Sequence, residues 1–156
     1  MALRVMVDGD DPILRKKSRE VTEFGERLHQ LLDDMYDTMT TAGGVGLAGV
    51  QVGVLRRVAI IEIGEERIEL INPVITERSE EALCEVEGCL SFPGQSGMVE
   101  RPKSVAVQAV DRNGQPFSLS GENLLARAIC HELDHLDGVV YLDIATQMLD
   151  SDDDED

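Results

Sequence analysis

The chain has 156 residues, 42% of them apolar, with three Phe, two Tyr and no Trp, so it is long enough for a compact domain with an aliphatic core. A formal net charge of −17 excludes nucleic-acid binding through bulk positive charge, and no run of 18 apolar residues offers a membrane span. Three cysteines, an odd number, argue against a disulfide framework and for free thiols or metal ligands.

The opening residues, MALRVMVDGDDPILRKKS, hold no apolar stretch long enough for a secretory leader, which predicts a cytoplasmic bacterial protein, an organellar one being the alternative. After an irregular segment around Asp11-Pro12, Leu28, Leu31, Leu32, Met35 and Met39 share one stripe and predict a helix over 24–39, ended by Gly43-Gly44. Residues 44–53, GVGLAGVQVG, are too rich in glycine for a regular element. Strands are predicted over 57–63 and 67–71, joined through Gly64-Glu65-Glu66, with Asn72-Pro73 breaking the second. Residues 104–112 alternate through Val105, Val107 and Ala109, Asn113-Gly114 predicts a tight turn, and 117–120 return as a strand. A last helix is predicted over 122–137, stopped by Gly138, with Leu125, Ile129, Leu133 and Leu136 facing a sheet. This order predicts an α+β domain over residues 1–149. Mostly antiparallel sheets would pack around the C-terminal helix, with an N-terminal helix besides. Residues 150–156 carry six acids and nothing to bury, which predicts a disordered tail.

The chemistry gathers in the last helix. His131-Glu132-Leu133-Asp134-His135 places two imidazoles one turn apart on one face, where both reach a single ion, with Glu132 beside them as general base. The chain has three His in all, and two stand at this spacing around a glutamate, so chance is a poor account. A catalytic ion needs a third ligand and an open position. The downstream sources used by common metalloproteases fail: Tyr141 stands where one class has histidine, and Glu155 lies in the acidic tail. Upstream, Cys89 in Glu87-Gly88-Cys89-Leu90-Ser91 is the best candidate and Cys84 a rival without so specific a frame. Cys130 points about 100° from His131 and reads as a small core residue.

Three motifs in order now give a resemblance. Residues 44–51, GVGLAGVQ, look like a G-x-G-L-A-A-x-Q segment, EGCLS is matched by residues 87–91, and HELDH fits H-E-x-D-H. With Asp11-Pro12-Ile13-Leu14-Arg15 added, the chain over roughly residues 8–145 resembles the peptide deformylases. Gly49 and Val50 depart from the Ala and Pro common there and imply a looser loop.

The resemblance implies removal of the N-terminal formyl group from formyl-methionine of new polypeptides, by attack of metal-activated water and release of formate. It implies one divalent ion on Cys89, His131 and His135, expected to be Fe²⁺, with Zn²⁺, Ni²⁺ or Co²⁺ able to substitute. Gln51, through its amide, and Leu90, through its backbone N–H, are expected to face the developing oxyanion. The Gly44-Val45-Gly46 segment would pair with the substrate backbone like an added strand, a simple glycine turn being the other reading, and Gly88 is also expected to bind substrate. Val45, Leu124 and Ala128 would line a pocket for the first side chain, plain core packing being the other reading. Arg127 falls at that pocket's wall, and Glu87 with Arg101 would brace the Cys89 loop. N-formylated nascent peptides are the expected partners, with transient ribosome association, and neither nucleic acid nor membrane. A metalloprotease cutting internal bonds, or a binding module without catalysis, would be the competing functions; the absent downstream ligand opposes the first, and intact Glu132 and Gln51 oppose the second.

Overall fold

The leucine and methionine stripe folds into α1, Glu26–Ala42, and Gly43 ends it at φ 78°, a left-handed conformation that glycine takes without steric cost. The structure, a computed structural model, describes residues 2–149; the tail predicted over 150–156 lies outside the described residues. The expectation that 44–53 is irregular is corrected. Gly46–Ala48 forms a short strand, β1, because the edge of β2 (Val58–Ile63) supplies ladder partners: Gly46 stands opposite Ile61 and Ala48 opposite Ala59. A 3-10 turn over Gly49–Val52 follows, closed by Gly53 at φ 82°. Gly49 is not a loosening residue there. A Cβ at its position would come within 2.8 Å of Val58 and 3.0 Å of the Val54 carbonyl, so the turn is packed tight against β2.

The break expected at Asn72-Pro73 is also corrected. β3 runs through it, Glu66–Arg78, as a bulge with a register shift between Ile71 and Val74. Asn72 takes φ 53°, and its side chain accepts from the Val21 N–H at 2.8 Å and donates to the Val21 carbonyl at 3.0 Å. A carboxamide that imitates a backbone partner thus compensates the strained residue. β4 (Ala82–Gly88), β5 (Ser96–Pro102), β6 (Ser104–Val110), β7 (Pro116–Glu122), α2 (Leu124–Leu136) and β8 (Gln147–Leu149) complete the described elements.

The ladders are antiparallel and form a five-stranded sheet in the order β1-β2-β3-β6-β7 and a three-stranded sheet in the order β4-β5-β8. The large sheet is covered on both faces. Ile60 of β2 packs with Leu32, Met35 and Met39 of α1, whereas its neighbour Ile61 packs with Ala126, Ile129 and Leu133 of α2. A third cluster, with Leu136, Tyr141, Val99 and Phe92, fills the gap towards the small sheet. These buried faces hold α2 between two sheets, so its polar stripe opens into the space where β1 and the end of β4 meet. The α+β class and the central C-terminal helix agree with the sequence-based expectation.

Candidate metal centre and active site

Three segments converge on that space. α2 brings His131, Glu132 and His135, all buried, with the two imidazole centroids 5.0 Å apart. The loop after β4 brings Cys89, whose Sγ lies 3.3 Å from His135 Nε2. The turn after β1 brings Gln51. One ligand atom from each of Cys89, His131 and His135 lies within 4.8 Å of the others. The rival thiol, Cys84, is exposed and is no part of this group, and Cys130 is buried in the α2 core cluster.

The donors suit a divalent ion. One thiolate and two imidazoles match a borderline metal, and the His131 Nδ1 is already engaged by Glu87 at 2.6 Å, which leaves its Nε2 for the ion. Glu132 Oε1 is buried with no hydrogen-bond partner, a costly arrangement unless something polar faces it. Burial, joined by the charge on His131, pushes His135 down to about 3, so it stays a neutral ring with a free lone pair. Burial disfavours a charged His131, but Glu132, Cys89 and Glu87 outweigh it and draw that ring towards its proton. Burial also pushes the Glu132 carboxyl up to about 7, against the pull of His131. A carboxylate so poised holds or gives up a proton at neutral pH.

The groups around the donors are fixed in turn. The Ala48 N–H donates to Gln51 Oε1 at 3.0 Å, which sets the carboxamide so that Nε2 donates to Ser91 Oγ at 3.1 Å and towards Cys89 Sγ at 3.5 Å. Glu87 takes Arg101 on both oxygens, at 3.1 and 2.6 Å, and Arg127 on one, at 2.9 Å. Burial works against a charged Glu87, but hydrogen bonds from His131 and Arg101 hold its carboxyl down at about 2. Arg101 continues to Asp134 of the motif at 2.6 Å. Backbone ties from the chain's beginning close the rear: the Val7 N–H donates to the Gln51 carbonyl and the Gly9 N–H to the Ser91 carbonyl.

A cavity of about 570 Å³ opens onto the centre. Val45, Gly46, Gly88, Leu90, Leu124 and Ala128 all border it, together with Gln51, Cys89, His131 and Glu132. Val45 and Leu124 are half exposed, at 44% and 49%, so the core reading fails for these two, while Ala128 is buried. Gly46 has a steric reason to be glycine: a Cβ there would meet Glu132 Oε2 at 2.6 Å. Arg127 borders the cavity as expected and also donates to Glu87, while sequence reasoning passed over Ser91 as a partner of Gln51. A signal for Ser91 was there, since it ends the EGCLS motif.

A family model described as polypeptide deformylase matches residues 3–150. The peptide deformylase of Caldicellulosiruptor bescii is 57% identical over 143 residues, which cover 92% of this chain and 86% of that one. The peptide deformylase of Alkaliphilus metalliredigens is 53% identical over 143 residues, covering 92% and 97%. Among solved structures, the peptide deformylase of Thermotoga maritima superposes with a TM-score of 0.91 at 36% identity, covering 94% of this chain and 99% of that one. That of Synechococcus elongatus, in complex with actinonin, gives 0.90 at 38% identity, covering 92% and 79%.

Proposed function

The chain belongs to the polypeptide deformylase family, and from that premise we propose which of its residues carry out the reaction. The activity is that of a metal-dependent amide hydrolase, which removes the formyl group from the N-terminus of nascent polypeptides. Cys89, His131 and His135 hold the divalent ion; when bound, it acidifies a water and polarises the formyl carbonyl. Glu132 takes the proton of the attacking water and later delivers it to the leaving amine, so one carboxyl serves as base and then as acid. Gln51 Nε2 and the Leu90 backbone N–H stabilise the oxygen on which negative charge develops. Gly46 and Gly88 let the substrate backbone lie close, and Val45, Leu124 and Ala128 surround its first side chain, a methionine.

The observation that carries this reading is the buried, unpartnered Glu132 Oε1 beside three ligand atoms that lie within 4.8 Å of one another. The resident ion is Fe²⁺, and Zn²⁺, Ni²⁺ or Co²⁺ can replace it. The enzyme works in the cytoplasm and meets its substrate during brief contacts with the ribosome, and residues 1–149 make one catalytic unit. The two relatives compared by sequence above are bacterial, and no helix among the described residues is long and apolar enough to cross a membrane. The test is formate release from formyl-Met peptides by anaerobically prepared protein, with metal analysis on the same sample. Release by the parent and its loss, by at least about 10²-fold, in Glu132→Gln with the metal retained is the expected result. Near-parental turnover in that variant would remove Glu132 from its role.

A further inference from the structure

We infer that Arg127 is a positioning residue for the metal centre, a clamp that fixes the distance between α2 and the strand that delivers Cys89. The ligands come from two different elements, so their geometry depends on how α2 sits against β4. Arg127 lies on α2 four residues before His131, and it is 6% exposed. Its guanidinium donates to Glu87 Oε1 at 2.9 Å, to the Val99 carbonyl of β5 at 2.9 Å and to the Leu83 carbonyl of β4 at 2.8 Å. One planar group thus binds the helix to two strands of the small sheet, β4 and β5, and three acceptors in one fork fix orientation as well as distance.

The contact with Glu87 gives the clamp its reach. Glu87 Oε2 lies 2.6 Å from His131 Nδ1, and Cys89 follows Glu87 by two residues. Arg127 therefore sets the residue that orients one imidazole ligand and the backbone that leads to the thiolate ligand. Arg101 also reaches Glu87, but it comes from β5 and ties to α2 through Asp134, which is 31% exposed. Arg127 makes the buried connection from the helix itself. Outer contacts of this kind hold ligand orientation, and their loss costs about 10-fold to 100-fold in metal affinity.

This role rests on the proposed ligand set, and the experiment separates the two. Co²⁺-loaded parent, Arg127→Met, Arg127→Lys and Cys89→Ala proteins are compared by visible absorption, loss of Co²⁺ to a chelator, thermal unfolding, and kcat and KM on formyl-Met and formyl-Ala peptides. Arg127→Met should lose Co²⁺ about 10-fold faster, shift the ligand-field bands, and lower kcat more than it raises KM on both peptides. Arg127→Lys should fall between, because an ammonium supplies charge to Glu87 but cannot span three acceptors. Parental cobalt release and spectrum in Arg127→Met would overturn the clamp whatever the melting temperature. So would a change confined to KM on the formyl-Met peptide, which leaves a pocket wall. If Arg127→Met does not fold, an Arg127→Lys protein indistinguishable from the parent overturns it instead. A thiolate-to-cobalt band that survives Cys89→Ala would sink the ligand set, a different failure from that of Arg127.

Discussion

As the proposed general base, Glu132 carries two demands that pull apart: it would have to ionise to take a proton, and it sits where ionisation is unfavourable. Its folded pKa, about 7, lies above the ordinary 4.5 because of burial. The stabilising contribution of such a group is whole below about 4.5 and is lost as pH rises towards 7. The metal-stripped parent should therefore lose stability against Glu132→Gln across that window, by at most about 3 kcal/mol. Urea unfolding of the two stripped proteins at several pH values measures the gap, and a gap that does not change with pH contradicts the burial argument. Gln51 makes a different prediction. Its amide is fixed by the Ala48 N–H before substrate arrives, and in the proposed role it meets charge that exists only in the transition state. Gln51→Ala should lower kcat by about 10²-fold and leave KM nearly unchanged. A pure KM effect would make Gln51 a ground-state contact. Loss of the Ser91 hydrogen bond adds a stability cost of about 1 kcal/mol, read separately from thermal unfolding.

At the scale of elements, the site depends on how closely β1 approaches α2. Gly46 and Glu132 face each other with no room for a methyl group, so Gly46→Ala should displace the Glu132 carboxyl. Turnover should drop by at least about 10-fold while the metal stays bound, and formyl-peptide kinetics beside metal analysis would detect it. Parental kcat would show that Glu132 tolerates a second position. The helices were legible because their apolar residues recur at helical spacing, and HELDH was legible because i and i+4 share a face. The small sheet was not legible. β4 reads ALCEVEG, where the short alternation points the wrong way because Val86 is exposed and the charged Glu87 is buried, and β8 is three residues long. Its partners lie far off in sequence, and only pairing makes it a strand. Asn72-Pro73 misled for a related reason: the bonds from Asn72 to Val21 that rescue the bulge join residues far apart in the chain. Within the site, Cys89 was reachable from the sequence through its motif, whereas the three-way grip of Arg127 was not, because two of its acceptors are backbone carbonyls that carry no sequence signature.

For the molecule as a whole, the ion governs both activity and what survives purification. Zn²⁺ outranks Fe²⁺ in raw affinity for thiolate and imidazole donors, and a bare thiolate oxidises in air. Stripped protein rebuilt without oxygen on Fe²⁺, Ni²⁺, Co²⁺ or Zn²⁺ should show higher kcat/KM on a formyl-Met peptide with Fe²⁺ than with Zn²⁺, and the Fe²⁺ form should fade in air. A zinc form that matches the iron form and keeps pace with it in air would overturn the choice of iron and leave the ligands in place. The spread of the ligands along the chain has a further consequence. One proposed donor sits at Cys89 and two at His131 and His135, close to the end of the described residues, and the site is tied from behind by Val7 and Gly9. A chain halted on the ribosome at residue 120 lacks the whole of α2, and such stalled chains should release no formate from an added formyl peptide. The centre is assembled only once the chain has been made through His135, so the activity belongs to chains that carry the whole of α2.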